Sequence, residues 1–314
     1  MERKKSHKLL MLEAIVRRMK KTSPNYSYFQ EYYRKMSAGF AGECYVDRIW
    51  QEIPLPSPSH LVHDYCFVND AGFTHQVDTI FVTPHFLCLI EIKNIAGRLD
   101  FDDQTRQCLR TMSNGQVDSI PYPVDQLNRH VYYFQRFLAK HQLNLPIVNA
   151  ILIANPTTII GQVSAECTII HSIGLPHFLH QCRQKFTKPL QNTAYTYLIN
   201  ELNNMHHEKI WIPELAQEEL KSGVLCPMCQ YDEVMYYLKG TWFCKKCGGS
   251  NDNALKEALQ DYRLLRGDTI TNAQLCEEFN IPNKNIAYRI LQALKYEKVG
   301  NTRFSQYIIP VFST

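Results

Sequence analysis

Phe86-Leu87-Cys88-Leu89-Ile90-Glu91-Ile92-Lys93 is the stretch on which the reading of this chain turns. Five consecutive apolar residues leave no polar face, so the segment reads as a central strand covered on both sides. In an extended strand residues two apart share a face, which points Glu91 and Lys93 the same way and Ile92 the other. Charges at the end of such a strand require an opposite charge, a metal ion or a cleft.

Working outward, Leu61 to Val68 and Phe73 to Val82 read as two further strands joined by the turn Asn69-Asp70-Ala71-Gly72. Thr83-Pro84-His85 turns the chain into the Phe86 strand, which makes a three-strand meander with Asp78 late in its second member. Upstream, Ser37 to Trp50 predicts a helix with Phe40, Glu43, Val46 and Trp50 along one face, so that Glu43 sits in an apolar stripe; Pro54, Pro56 and Pro58 end it. Downstream, Val124, Leu127, Val131, Phe134 and Leu138 predict a helix from Val124 to Lys140. Ile147 to Ala154 reads as another buried strand, Thr168 to His171 as a short one, and Pro176 to Phe186 and Ala194 to Asn204 as helices. Helix, antiparallel strands, helix and strand in that order define a mixed α/β domain over residues 35–205.

Glu43, Asp78, Glu91, Lys93 and Gln126 are the polar residues this arrangement gathers. Mg²⁺ takes a few carboxylate oxygens and keeps water and substrate phosphate in its other positions, which suits Asp78 and Glu91 as ligands with Glu43 approaching from the helix side. Lys93 would orient or help deprotonate the attacking water and offset charge developing on the phosphorus oxygens. The competing account of Glu91 and Lys93 is a structural ion pair.

Asp78 followed after twelve residues by Glu91-x-Lys93 resembles the PD-(D/E)XK nuclease core. The helical Ala41-Gly42-Glu43, the Gln76-Val77-Asp78 step, Glu91-Ile92-Lys93-Asn94 followed by Gly97, and Gln126-x-x-x-His130 after Pro121 and Pro123 are similar to the nuclease-related domain, NERD. The resemblance covers roughly residues 35 to 180, with Tyr122-Pro123 standing where the family would have Asn-Pro before the glutamine helix. It implies a restriction-endonuclease-like fold, a requirement for Mg²⁺ or Mn²⁺, and DNA as substrate. Gln126 and His130, four residues apart, share a helix face and either reach the substrate strand or serve as satisfied structural groups.

Composition sets the outer limits. With 314 residues, 45% of them hydrophobic and 20% charged, the chain has material for two or three domains and is neither disordered, collagenous nor a coiled coil. No apolar run approaches the roughly 18 residues of a membrane-spanning helix. The first 35 residues hold ten Lys or Arg against three acids, a basic segment suited either to an anionic surface or to a solvated amphipathic helix packing Leu9, Leu12, Ile15, Val16 and Met19. Glu13 and the run Arg17, Arg18, Lys20, Lys21 make it unlike an export signal, and eleven cysteines without one point to reduced thiols in a cytoplasmic protein.

Cys226-Pro-Met-Cys229 and Cys244-Lys-Lys-Cys247 stand 14 residues apart, just under the about 15 to 20 common in zinc modules. Val234 to Leu238, Lys239-Gly240 and Thr241 to Phe243 supply the hairpin of a zinc ribbon over 222–250, with one structural Zn²⁺ held by four thiolates. Residues 206–221 read as a linker. In 251–314, Leu255 to Leu265, a helix capped by Thr271 and one capped by Asn283 read as a helix-turn-helix, and Lys298 to Ile309 as a wing. The third helix presents Lys284, Asn285, Tyr288, Arg289, Gln292 and Lys295 outward, types that reach phosphates and base edges. Residues 252–314 carry eight basic and seven acidic groups, so a protein partner for this face stands beside DNA. The expectation is therefore a restriction-endonuclease-like α/β core followed by a zinc ribbon and a winged-helix-like α+β domain, acting as a metal-dependent DNA nuclease. The alternatives are a non-catalytic DNA-binding regulator and a protein-interaction scaffold.

Overall fold

The computed structural model describes residues 3–300 and 305–311. Its contacts divide the chain into one unit formed by residues 1–5 with 36–209 and another formed by 6–35 with 210–314. In chain order the described elements begin with helices α1 (His7–Arg18) and α2 (Tyr26–Glu52). No proline interrupts residues 26–52, and α2 runs eleven residues further upstream than the apolar periodicity of Ser37 to Trp50 predicts.

The first unit is built on a five-stranded sheet of β1 (His60–Val68), β2 (Thr74–Val82), β3 (Leu87–Lys93), β7 (Ile147–Ile153) and β9 (Thr168–His171), in the spatial order β1-β2-β3-β7-β9. The first three strands are antiparallel; β7 is parallel to β3, and β9 to β7. Both faces of β3 are covered. Leu87 and Leu89 pack with Val124, Leu127 and Phe134 of α3 (Pro123–Lys140), whereas Cys88, Ile90 and Ile92 pack with Val46, Ile49 and Trp50 of α2 and with Leu179 of α4 (Leu175–Lys185). At roughly 2 kcal/mol for each fully buried large apolar side chain, these two layers are the main source of the domain's stability. Pro123 starts α3 at a position where its missing N–H costs nothing. A last helix, α5 (Asn192–Met205), returns to the α3 face, and the Tyr65 hydroxyl donates to the Leu202 carbonyl at 2.7 Å.

Between β3 and α3 lies a second sheet that periodicity did not reveal. Its order is β6-β5-β4-β8, from β4 (Arg98–Asp102), β5 (Gln107–Thr111), β6 (Val117–Ile120) and β8 (Ile159–Ile160). Its strands are two to five residues long and bury only alternate side chains such as Leu99, Phe101 and Cys108, too little repetition for a pattern to register.

In the second unit, β10 (Val224–Leu225), β11 (Val234–Leu238) and β12 (Thr241–Phe243) form a small antiparallel sheet. Three helices follow, α6 (Ala254–Leu265), α7 (Asn272–Phe279) and α8 (Lys284–Leu294), with an antiparallel sheet of β13 (Thr269–Ile270), β15 (Gln306–Ile308) and β14 (Lys298–Val299). Thr271 and Gln274 form a reciprocal capping box on α7, and the Asn283 side chain accepts the Ile286 N–H at the start of α8. The tip of the expected wing, residues 301–304, lies outside the described residues.

Two findings reshape the second unit relative to sequence. Val224, Met235 and Trp242 share one core with Leu255, Leu259, Phe279 and Leu291, so the four-cysteine segment and the three helices are not separately packed. The basic segment at residues 6–35 belongs to this unit, where Arg17 Nη2 and Arg18 Nε bind the buried Asp261 carboxylate at 2.7 and 2.9 Å. Two of the charges that make the segment look like a nucleic-acid arm are thereby committed internally. No helix among the described residues is long and apolar enough to cross a membrane.

Candidate active site

The β2–β3 ladder pairs Thr79 with Ile90, and continuing that register puts Asp78 opposite Glu91. The pairing stops there. Asp78 Oδ2 instead accepts the Ile92 N–H at 2.6 Å, so a carboxylate closes the opening between the two strands. Across the same gap Lys93 Nζ donates to Glu91 Oε1 at 2.5 Å and reaches Gln126 Oε1 of α3 at 3.4 Å. Glu91 is 2% exposed, and its second oxygen, Oε2, has no hydrogen-bond partner.

Gly42 and Asn94 explain how α2 comes close enough to take part. A Cβ on Gly42 would lie 2.4 Å from that of Asn94, whose Nδ2 donates to the Ala38 carbonyl at 2.7 Å. Any side chain at 42 would push the helix, and Glu43 with it, away from the strand end. Gly97, at φ +104° with the Thr111 carbonyl 2.6 Å from where a Cβ would sit, makes the comparable turn after β3.

Glu43 is engaged by a residue that sequence reading did not single out. The Arg3 guanidinium, buried to 7% exposure, contacts Glu43 Oε2 at 3.2 Å, Asp47 Oδ2 at 2.9 Å and Asp64 Oδ1 at 2.8 Å, and donates to the Asp78 carbonyl at 3.1 Å. His63 Nδ1 lies 3.2 Å from it. Asp64 has φ 52° and interrupts the β1–β2 ladder between the pairs His63–Thr79 and Tyr65–Val77. An aspartate tolerates that left-handed conformation, and adopting it brings the carboxylate to the arginine. The available signal was the Glu43 and Asp47 pair, one helical turn apart on α2 with no Lys or Arg three or four residues from either.

Burial and mutual repulsion dominate the electrostatics. Burial, reinforced by the charge of Asp78, pushes the Glu43 carboxyl up to about 8 against the opposing pull of Arg3. The same two causes push Glu91 up to about 8 against Lys93. Burial also raises Asp78, opposed by Lys93 and the Ile92 N–H. Burial works against the charge on Lys93, but Glu91 and Asp78 outweigh it and hold the amine above its ordinary value, hence protonated. Carboxyls held this high bind protons until a cation replaces them. An unpaired oxygen on a buried carboxylate beside a second carboxylate is the donor set that a hard divalent ion fits. His130, by contrast, is 2% exposed between Phe67 and His75, with its basicity pulled down to about 4 by burial.

The four cysteine sulfurs of Cys226, Cys229, Cys244 and Cys247 lie within 4.8 Å of one another, with the 226–247 and 229–244 pairs at 3.7 Å. A tetrahedron with Zn–S bonds of about 2.3 Å has edges of about 3.8 Å, so the thiols are already spaced for one zinc ion. Among the described residues this is the one group of three or more such ligands gathered that tightly. Backbone N–H groups of Cys247 and Lys246 lower the Cys244 thiol to about 7, against burial, which favours a thiolate there. On α8, Lys284, Asn285, Tyr288, Arg289, Gln292 and Lys295 are exposed while Ala287 and Leu291 are buried.

The nuclease-related domain family matches residues 38–154, from the second half of α2 through β7. Those residues therefore form a nuclease-related domain, and the mixed parallel and antiparallel sheet agrees with a nuclease-like core. The family match contains Glu43, Asp78, Glu91, Lys93 and Gln126. Comparison with curated proteins and with solved structures gives no match.

Proposed function

We propose that the protein is a divalent-metal-dependent DNA nuclease in which Asp78 and Glu91 hold a Mg²⁺ or Mn²⁺ ion, joined by Glu43 from α2. The observation that carries this reading is the unpartnered, buried Glu91 Oε2 beside Asp78, with Lys93 on the same carboxylate. The ion, once bound, supplies charge neutralisation at a phosphate and a more acidic water. Lys93, held protonated, acts by offsetting charge on the phosphate oxygens rather than by accepting a proton from water. Gln126 fixes the Lys93 amine from α3. Glu43 shares its charge with Arg3 and so contributes less to ion binding than Glu91.

In this reading the four-cysteine segment is a zinc ribbon and residues 251–314 a winged-helix-like module; both target the nuclease, with Lys284, Asn285, Tyr288, Arg289 and Gln292 facing DNA. Labelled single-stranded, duplex and branched DNAs incubated with Mg²⁺, Mn²⁺ or EDTA test the activity. Metal-dependent cleavage is expected, and Asp78→Ala, Glu91→Ala and Lys93→Ala should each lower it by at least about 100-fold without unfolding the domain. Glu43→Gln should have a smaller effect. Full activity in Glu91→Ala would overturn the assignment.

One observation favours a second reading. Arg3 is a built-in cation among Glu43, Asp47 and Asp64 and offsets part of their charge, which would reduce the repulsion of DNA in the absence of a metal ion. DNA binding unaffected by EDTA, with no cleavage of any substrate, would support a regulator instead.

A further inference from the structure

A cleft of about 470 Å³ opens between the β1–β2 turn and the outer face of α3. Asn69, His75, Arg129, Tyr132, Arg136 and Lys140 are among the residues that line it. Gln126, Arg129, Tyr133, Arg136 and Lys140 recur every three or four residues and so lie along one face of α3. That face begins at the glutamine touching Lys93 and continues for roughly 21 Å at the helical rise. The cleft is thus continuous with the candidate active site along a single helix.

Its chemistry is divided between charge and aromatic surface. Arg129, Arg136 and Lys140 are exposed, and Arg129 and Lys140 make no ion pair among the described residues. Asp70 is the one acid in the lining; it sits 3.6 Å from Arg136 where both are well exposed, a pairing worth little in water. Tyr132 is 62% exposed, with the Arg136 guanidinium 5.9 Å from its ring centre. Tyr133 is fixed as a wall by stacking on Phe67 at 4.2 Å, and at the floor the Asn69 amide meets His75 Nε2 at 3.0 Å.

We propose that this cleft binds single-stranded DNA and leads it to the Glu91–Lys93 end of α3, with a base stacked on Tyr132 and phosphates on Arg129, Arg136 and Lys140. Duplex DNA presents phosphates but keeps its base faces covered by their neighbours. An exposed ring inside a cleft sized for one or two nucleotides is useful only to an unstacked strand. Three cations at intervals along the helix follow a backbone, and a small molecule would not require that length. The inference rests on the nuclease reading for the direction of the strand, but its binding half stands without it.

The test uses the full chain carrying Lys284→Ala and Arg289→Ala, so that α8 contributes no affinity, and measures binding of a labelled 15-nucleotide oligo-dT and a duplex of equal length in EDTA. The single strand should bind more tightly. Tyr132→Ala should weaken it by about 5- to 150-fold and Tyr132→Trp should restore it. Arg129→Ala with Arg136→Ala should reduce the slope of log affinity against log salt by about 1.4, at about 0.7 per single-strand phosphate. Tyr132, Arg129 and Arg136 are all exposed, so unchanged thermal melting is expected as a control. Wild-type affinity in both cleft variants, or an equal loss for duplex and single strand, would overturn the proposal. If the variants bind as expected but the parent cuts nothing with any metal, the nuclease reading fails and the cleft stands. Should the parent cut single strands and the cleft variants do so with unchanged KM, the cleft fails alone.

Discussion

Arg3 Nε and Asp47 Oδ2 lie 2.9 Å apart, joining a residue just ahead of α1 to the last third of α2 through an ion pair that solvent scarcely reaches. The arginine also serves Glu43 and Asp64, so it is the shared counter-charge of three carboxylates. Its charge is secured well above the ordinary range: burial opposes it, and Asp47, Asp64 and Glu43 prevail. Removing it leaves buried negative charge uncompensated, so Arg3→Ala should destabilise the first unit by about 3–5 kcal/mol. Arg3→Lys should recover only part of this, because one ammonium cannot contact carboxylates on opposite sides of a planar fork. Urea melts of the two variants decide it, and a stability unchanged in Arg3→Ala would mean that the network contributes nothing.

The raised carboxyls give the metal-free protein an unusual pH dependence. Glu43 and Glu91 titrate near 8 when folded and near 4.5 when unfolded, so the folded state binds more protons across that interval and loses stability as pH rises through it. His63 and His130, lowered to about 4 by burial, act oppositely but only below about 6.5, where they lose stability as pH falls. Within the first unit the carboxyls act alone between pH 6.5 and 8, and the stability of that unit in EDTA should drop there by on the order of 1–2 kcal/mol. Mn²⁺ should displace those protons and stabilise the protein more at pH 8 than at pH 6. A melting temperature that climbs with pH over this window in EDTA would contradict the carboxyl assignment.

Elemental analysis should find one zinc per chain, released by Cys226→Ser with Cys244→Ser. The sulfur spacing leaves room for four bonds and no water, so the ion should resist exchange and take no part in hydrolysis. Stoichiometric zinc surviving the double substitution would place the ion elsewhere.

The exposed face of α8 should be tested by side-chain replacement rather than by deleting the tail, because α1 packs on α6 and its arginines depend on Asp261. Replacing Lys284 and Arg289 by alanine should lower duplex affinity and reduce the salt slope by about 1.8, at about 0.9 per phosphate. Unchanged affinity and slope would assign that face to a protein partner.

The parts of this structure that could be read in advance were those with a repeating or local signature. Phe86 to Lys93 and Ile147 to Ala154 were evident because burial on both faces leaves a mostly apolar run, and Leu61 to Val68 and Phe73 to Val82 because the turn Asn69-Asp70-Ala71-Gly72 separates two β-rich stretches. The cysteines were evident because two C-x-x-C turns are the local signature of four thiols gathered at a spacing that could hold a zinc ion. The strands over 98–120 were not, since each buries two side chains at most, although Asn114-Gly115 marks a turn between two of them. Arg3 was invisible for a different reason: its partners are 40 to 61 residues away, and no periodicity links a lone arginine to carboxylates at that distance. The role of Gly42 was likewise hidden, because the atom it makes way for belongs to Asn94.

Val224, Met235 and Trp242 lean on Leu259 and Phe279 rather than on one another alone, and this limits what can be done with the cysteine segment. It is not a cassette. Transplanted into another chain, residues 222–250 would carry their metal-binding chemistry but expose the apolar side that the helices now shelter, and would aggregate or stay molten. Substitutions on the helices at Leu259 or Phe279 should conversely loosen the four-thiol cluster and weaken its hold on a zinc ion.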